Sequence, residues 1–379
     1  MKKLVNLGLI FFSVFLTLLV AEQVARYLDY LDKLSPPLAR SWKEFRLSKP
    51  APYKNAGYDI EKIINEAQQV GWQTDPNFGY MVNDFSGDYI NTKNSYRKTP
   101  GRPVSPERRV WLFGGSTVIC FEVPDDLTVP SYFNRLANAK YSNKLEIINV
   151  GATTVTIRHQ LYRLRTSTDI RKGDIVIFLD GINDVIQTLF YQNPTGNMIQ
   201  HNREQIESAG LSAKSLLLVY DKMSPSSAFV RRFLNPFTPP NRAVTISSDL
   251  STRFEDDYFS AIMQADEYVR LKGGAFYHFL QPNLYTVSSL TAYEKKLLGN
   301  GYLHDKSLAE VYHQGYPRLQ RASKRASKHG VQSFDISTTF DQRRSEIFLD
   351  FAHTNEVGNK ILAQAILNKV DLLLPAIEP

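Results

Sequence analysis

Four short stretches combine the residue types that nucleophilic chemistry needs. Gly114-Gly-Ser-Thr117 follows the apolar run Val110–Phe113, and Asn149-Val-Gly-Ala-Thr-Thr154 closes the run Leu145–Val150. Asp180-Gly-Ile-Asn-Asp-Val185 follows Asp174–Leu179, and Leu349-Asp-Phe-Ala-His-Thr354 stands before the last helical segment. A serine hydroxyl is a poor nucleophile until a base takes its proton, and His353 is a side chain able to do so near neutral pH. Asp350, three residues before it, is placed to accept from the other imidazole nitrogen and fix the tautomer.

Each stretch has a plainer reading as well. Ser116 is also a helix-capping residue type after a Gly-Gly turn. Asn183 and Asp184 also suit an Asx-type turn. Two other chemistries fail on detail. The phosphate-cradling loop needs a lysine after its last glycine, which is missing here. The nucleophile elbow Gly-x-Ser-x-Gly needs glycine where Val118 stands. The single cysteine, Cys120, sits among Val118, Ile119 and Phe121 and reads as a small buried hydrophobe; with one cysteine no intrachain disulfide exists. His159, His201, His278, His304, His313 and His329 follow no metal-ligand spacing, so no metal or other cofactor is expected.

The elements that must position these residues alternate. Apolar runs at Val110–Phe113, Leu145–Val150, Asp174–Leu179, Ala275–Leu280 and Val331–Phe334 are separated by helical periodicity at Val129–Ala139, Thr156–Thr168, Asp256–Lys272 and Lys306–His329, with a last helix over Glu356–Leu374. Continuous Val/Ile/Leu/Phe strands between helices predict a parallel sheet of about five strands covered on both faces, a three-layer α/β/α domain whose ligands bind at the carboxyl ends of the strands. The interval 186–250 is long for a loop and is expected to be a lid, binding loop or insertion. A short helix is expected over Asp59–Gln69, and the domain itself is expected to start near Arg108. Arg158, Arg163, Arg165, Arg171 and Lys172 read as a solvated basic face.

In this order, the four motifs resemble the blocks of the SGNH/GDSL hydrolase superfamily, over about residues 108 to 375. The resemblance implies a flavodoxin-like α/β/α fold and action on esters, often acetyl esters of carbohydrates. It makes Ser116 the nucleophile, Asp350 and His353 the rest of the triad, and Gly151 and Asn183 the second- and third-block residues. The amides of Ser116 and Gly151 and the side-chain amide of Asn183 are then the expected oxyanion donors. One residue departs from the pattern: the family's Gly-Asp-Ser is here Gly-Gly-Ser, with Gly115 in the middle.

Met1-Lys-Lys followed by the uncharged stretch Leu4–Ala21 is close to the roughly 20 residues that cross a bilayer as a helix, with the lysines favouring a cytoplasmic N-terminus. The expectation is an N-terminal transmembrane anchor over residues 1–28 and a juxtamembrane extension over 29–107, ahead of an exported domain; the rival is a signal peptide cleaved to give a secreted protein. A charged fraction of 22% and a hydrophobic fraction of 43% exclude global disorder. The net charge of +7 is scattered and forms no run with interleaved aromatics, so nucleic acid is not an expected partner. The function expected is an exported esterase removing O-acyl, chiefly acetyl, groups from a carbohydrate or cell-surface glycan. The alternatives are an O-acetyltransferase on an extracellular polysaccharide with the same triad, or a non-catalytic glycan-binding or scaffold protein.

Overall fold

A computed structural model describes residues 13, 16–24, 26, 46–47, 51–75, 79–141, 144–190, 246, 248–300, 306–343 and 345–372. The chain divides into two compact units, Ser41–His201 with Ala243–Pro379, and Met1–Arg40 with Asn202–Arg242. Of the second unit only residues within 13–26 are described; they are helical, with Leu16, Leu18, Leu19 and Val20 exposed. Among the described residues no helix is long and apolar enough to cross a membrane. Most of the segment expected as an anchor lies outside them, as does most of the interval 186–250.

The larger unit is built on one mixed sheet. Its parallel part has five strands: β6 (Arg108–Gly114), β7 (Leu145–Gly151), β8 (Ile175–Asp180), β9 (Ala275–Leu280) and β10 (Gln332–Asp335). They lie in the order β10-β9-β8-β6-β7, which is the flavodoxin-like order with its switch point at the first strand. Val110, Leu112, Phe113 and Ile175 to Leu179 are all buried, as the unbroken apolar runs require of strands covered on both faces. Each strand falls within about two residues of its expected run.

Helices α3 (Val129–Lys140) and α9 (Glu356–Leu367) pack together, while α4 (Ile157–Ser167) and α8 (Lys306–Lys328) both pack on α6 (Ser248–Leu271). Right-handed crossovers place the first pair on one face of the sheet and the other three on the opposite face. Thr128 caps α3 through the Ser131 N–H, and Pro130 stands in its first turn, where no intrahelical donor is needed. Asn355 caps α9 by accepting from Val357 and Gly358. Two helices differ from expectation. α6 begins eight residues earlier than Asp256, and α9 stops at Leu367, beyond which Val370 and Leu372 are buried.

Upstream of Arg108 the structure departs most from the sequence reading. The sheet does not begin with the parallel strands. It continues from β7 into antiparallel β5 (Tyr96–Arg97), β4 (Asn91–Lys93) and β3 (Phe85–Ser86), while β1 (Trp72–Asp75) and β2 (Gly79–Val82) form a separate hairpin. Helix α1 (Ile60–Gln69) is capped by Asp59 and buries Ile60, Ile63, Ile64 and Ala67. These join Tyr53, Val70, Val82 and Ile90 in a second core that also takes in Ile119, Phe121 and Leu349. The last three flank the expected nucleophile and its triad partners. The described residues of the extension within 46–107 are therefore part of the body of the domain, packed behind the loops that carry the motifs. Strands this short, without apolar alternation, carry no periodic signal of their own.

Arg163 also differs from its expected solvated position. It is buried, donates to Ser95 O at 2.9 Å and lies over the Tyr96 ring, tying α4 to the extension. Arg158 and Arg171 are exposed and paired with Asp257 and Asp169, as a solvated face allows.

Candidate active site

The register of the sheet explains why the motifs meet. Gly114 on β6 pairs with Gly151 on β7 and with Leu179 on β8, so the first three motifs leave the sheet at one level on its carboxyl edge. After Gly114 the chain turns through Gly115 into a single helical turn, α2 (Ser116–Ile119), which Cys120 closes in the left-handed region at φ 50°. A side chain at Gly114 would collide with Val118 and with the Leu179 carbonyl, so the turn against the sheet requires glycine there. Ser116 is the first residue of the turn, and its N–H has no intrahelical acceptor.

The fourth motif is a tight loop. Leu349 N–H donates to His353 O at 2.8 Å, and a bridge between Phe348 and Thr354 closes it. Within it Asp350 Oδ1 accepts from the Ala352 and His353 N–H groups, both at 2.7 Å. Asp350 Oδ2 lies 2.8 Å from His353 Nδ1, and His353 Nε2 lies 2.8 Å from Ser116 Oγ. Ser116, Asp350 and His353 thus form one continuous relay across residues 237 positions apart in the chain. With Nδ1–H donating to the carboxylate, Nε2 is left as the acceptor for the serine proton. Ser116, Asn183 and His353 are half-buried in otherwise buried surroundings, so the relay opens to the surface at the serine.

Asn183 sits in the short helix α5 (Ile182–Asp184), which continues as a wider helical turn over Val185–Phe190. Its Nδ2 donates to Val155 O at 3.0 Å and lies against Gly115, directly beside the Ser116 turn. Gly151 does not take the place expected of it. Its N–H donates to Asn149 Oδ1 at 2.9 Å, while Asn149 Nδ2 donates to Val118 O at 3.1 Å. A Cβ on Gly151 would stand 2.3 Å from Ile119 N. The glycine therefore allows β7 to press against the serine's turn, and Asn149 claims its N–H. The donors remaining beside the Ser116 hydroxyl are the Ser116 N–H and the Asn183 amide.

The electrostatics favour a charged Asp350 and a basic His353. Burial alone would raise the Asp350 carboxyl. The charges of His353 and Arg46, with the hydrogen bonds from His353, override it and hold the group well below the usual carboxylate range. For His353 burial works downward, but Asp350 and then Glu122 outweigh it, and its pKa is raised above 6.5. The Cys120 thiol is pushed up to about 12, by burial first and by Glu122 next, which suits an inert hydrophobe.

Two residues at the site were not singled out from the sequence. Arg46, fully buried, donates from Nη2 to Asp350 Oδ2 and from Nη1 to Leu349 O at 2.6 Å. Glu122, also buried, has Oε1 3.8 Å from both His353 Nε2 and Arg46 Nη2. Arg46 lies in the extension outside every motif, and nothing local marks it. Glu122 stands six residues after the serine, where a carboxylate in an apolar run was the one available signal.

Deeper in the domain, Asp180 and Asp184 belong to a separate buried network. Tyr258 OH donates to Asp180 Oδ1, His278 Nε2 lies 3.3 Å from the same oxygen, and His278 Nδ1 is 2.7 Å from Ser333 Oγ. Asp184 accepts from the Ile157 and Gly181 N–H groups and joins the second and third motif loops. His278 is thus a satisfied core histidine.

The fold and site together define a flavodoxin-like α/β/α domain with a Ser–His–Asp relay at the carboxyl edge of its sheet. No protein-family model and no curated protein matches the sequence. Solved structures similar to the chain include LAE5, an α/β hydrolase from the metagenome of Lake Arreo, at 14% identity, covering 70% of this chain and 95% of that one with a TM-score of 0.39. A member of the lipolytic G-D-S-L family from Veillonella parvula is 14% identical over 69% of this chain and 97% of its own, with a TM-score of 0.37. Axe2, an acetylxylan esterase from Geobacillus stearothermophilus, is 13% identical over 72% of this chain and 97% of its own, with a TM-score of 0.39.

Proposed function

We propose that the protein is a serine esterase of the SGNH type. The observation that carries this reading is the unbroken relay from Ser116 Oγ to His353 Nε2 and from His353 Nδ1 to Asp350 Oδ2, with 2.8 Å at each step. These distances lie within the range a general base needs.

In the reaction, Ser116 Oγ attacks the ester carbonyl carbon while its proton passes to His353 Nε2. The oxyanion is met by the Ser116 N–H and the Asn183 amide. As the tetrahedral adduct collapses, His353 returns the proton to the leaving alcohol, and the acyl group stays on the serine. Water, deprotonated by His353, then attacks the acyl-serine, releasing the acid and restoring the hydroxyl. Asp350 stays ionised throughout and supports the imidazolium.

The resemblance of the four motifs supports acetyl groups on carbohydrate as the substrate class. The uncharged stretch Leu4–Ala21 after two lysines supports an N-terminal anchor with the domain exported.

The test is turnover of a chromogenic acetyl ester by the full chain and by Ser116→Ala. Wild-type turnover that Ser116→Ala abolishes supports the esterase; equal background in both overturns it. Mass spectrometry of an added glycan gives the second arm, in which transfer of the acyl group to a sugar hydroxyl assigns the acyltransferase instead. Membrane fractionation and N-terminal sequencing test the anchor, and a mature N-terminus near Glu22 rejects it.

A further inference from the structure

We infer that Arg46, delivered from the extension upstream of the α/β sheet, is a positioning residue of the catalytic relay, holding the Asp350 carboxylate and the Leu349 backbone in place behind His353. The inference rests on the esterase reading above.

The geometry is that of a clamp. Asp350 Oδ1 is filled by two backbone N–H groups of its own loop, and Oδ2 receives both His353 Nδ1 and Arg46 Nη2. The second guanidinium nitrogen reaches Leu349 O, so one planar fork grips the side chain and the backbone of consecutive residues. A lysine ammonium cannot reproduce two such directed bonds at once. Arg46 is fully buried, and a cation without solvent is retained only where its partners compensate it. Among the described residues its partners include Asp350, Leu349 O and, across 3.8 Å, Glu122. The second core holds the clamp shut from behind, because Tyr53, whose hydroxyl donates to Glu122 O at 2.9 Å, packs there with Leu349.

Among the described residues, the charged and titratable groups facing His353 are Asp350 on its own loop, Glu122 after the serine's turn, and Arg46 from the extension. Tyr53 and Tyr293 also face the Arg46–Asp350 pair, and burial keeps both neutral. Arg46 acts on His353 in one direction. Its charge opposes protonation of the ring, and by sharing Asp350 Oδ2 it limits what the carboxylate can give to the imidazolium. Removing Arg46 takes away that opposition, so the proton affinity of His353 rises, while Asp350 Oδ2 loses one of its two donors and keeps His353 Nδ1.

The experiment compares the full chain with Arg46→Met and Arg46→Lys, measuring kcat, KM and the pH dependence of kcat/KM on the chromogenic ester. In parallel, the His353 ring is titrated by NMR in histidine-labelled protein. For Arg46→Met, kcat is expected to fall at least tenfold at neutral pH with KM nearly unchanged. Both the acid limb and the NMR titration of His353 are expected to move up by about one pH unit. Arg46→Lys keeps the charge and loses the fork, so the limb should stay in place while kcat drops. A His353 titration unmoved in Arg46→Met, or full kcat in Arg46→Lys, overturns the proposal. Should Arg46→Met fail to fold, the Arg46→Lys result still decides it. Absence of Ser116-dependent turnover in the wild type would instead reject the esterase reading, and the NMR titration would still test the clamp.

Discussion

Asn183 occupies the space that a side chain at position 115 would need: a Cβ on Gly115 would stand 2.5 Å from Asn183 Nδ2. Gly115 is thus the residue that lets the third-motif amide lie against the Ser116 turn. Gly115 itself is not in the left-handed region (φ −78°), so the constraint is one of space and not of backbone strain.

Gly115→Ala should therefore move the Asn183 side chain and leave the fold intact, because the displaced atom is the end of a side chain. Asn183→Ala sets the scale. Loss of one oxyanion donor typically costs about 10²–10³ in kcat. Gly115→Ala should approach that loss with a thermal midpoint close to wild type. Wild-type kcat in Gly115→Ala would mean that Asn183 is not an oxyanion donor.

Activity should rise with pH on its acid side. His353 must be neutral to accept the serine proton, and Asp350 and Glu122 together outweigh burial to raise its pKa above 6.5. The midpoint of the kcat/KM profile is expected above that value. Glu122→Gln, which removes one of the two carboxylates, should bring it down. A profile rising through a midpoint below 6.5 in the wild type would contradict this.

Arg97 should be a stability residue. It is fully buried on β5 and donates to Asp125 Oδ1 at 2.9 Å, to Ile119 O and Val123 O at 2.7 Å each, and to Cys120 O. It thereby fixes the chain that leaves the serine's turn. Arg97→Met leaves a buried carboxylate and three carbonyls short of donors, and should cost about 3–5 kcal/mol in urea denaturation. A loss below about 1 kcal/mol would show that the loop holds itself.

Stability should also report the buried Asp184. Burial first, and the neighbouring Asp180 next, push its pKa up to about 8, above the ordinary 3.8. Between those values the folded chain holds a proton that the unfolded chain has released. This group's contribution is therefore full below about pH 4 and declines as pH rises toward 8. Asp184→Asn should flatten that decline in urea midpoints measured from pH 5 to 8. It should also lower stability throughout, because its amide nitrogen cannot accept from Gly181 N–H as Asp184 Oδ2 does. An unchanged slope would place the titration elsewhere. Asp350 has the opposite sign: its depressed pKa contributes stability above the ordinary value, which is lost as the pH falls into the acid range.

β6, β8 and β9 were legible because each is a largely apolar run buried on both faces, a pattern written locally, whereas the edge strand β10 exposes Gln332 and Asp335. The relay was legible for a related reason. Asp350 and His353 share one short loop, and Ser116 follows a strand end that the sheet order brings beside it. Gly151 was expected as an oxyanion donor, and its N–H is instead engaged within the strand. The choice of partner for its N–H was made by Asn149, two residues away on the same strand, and hydrogen-bond partners are not visible in spacing.

The sequence alone marks Ser116, Asp350 and His353 as candidates, because their residue types at these turns suit nucleophilic chemistry and the resemblance of the four motifs favours that over the plainer capping and turn readings. The rest was decided by tertiary structure. Arg46 reaches Asp350 across 304 positions, Glu122 faces His353 from another loop, and the residues before Arg108 complete the sheet and seal the back of the site. Such contacts depend on which buried groups find partners when distant segments pack. No local periodicity or motif records that pairing, since a buried charge is compensated only by what the fold places beside it.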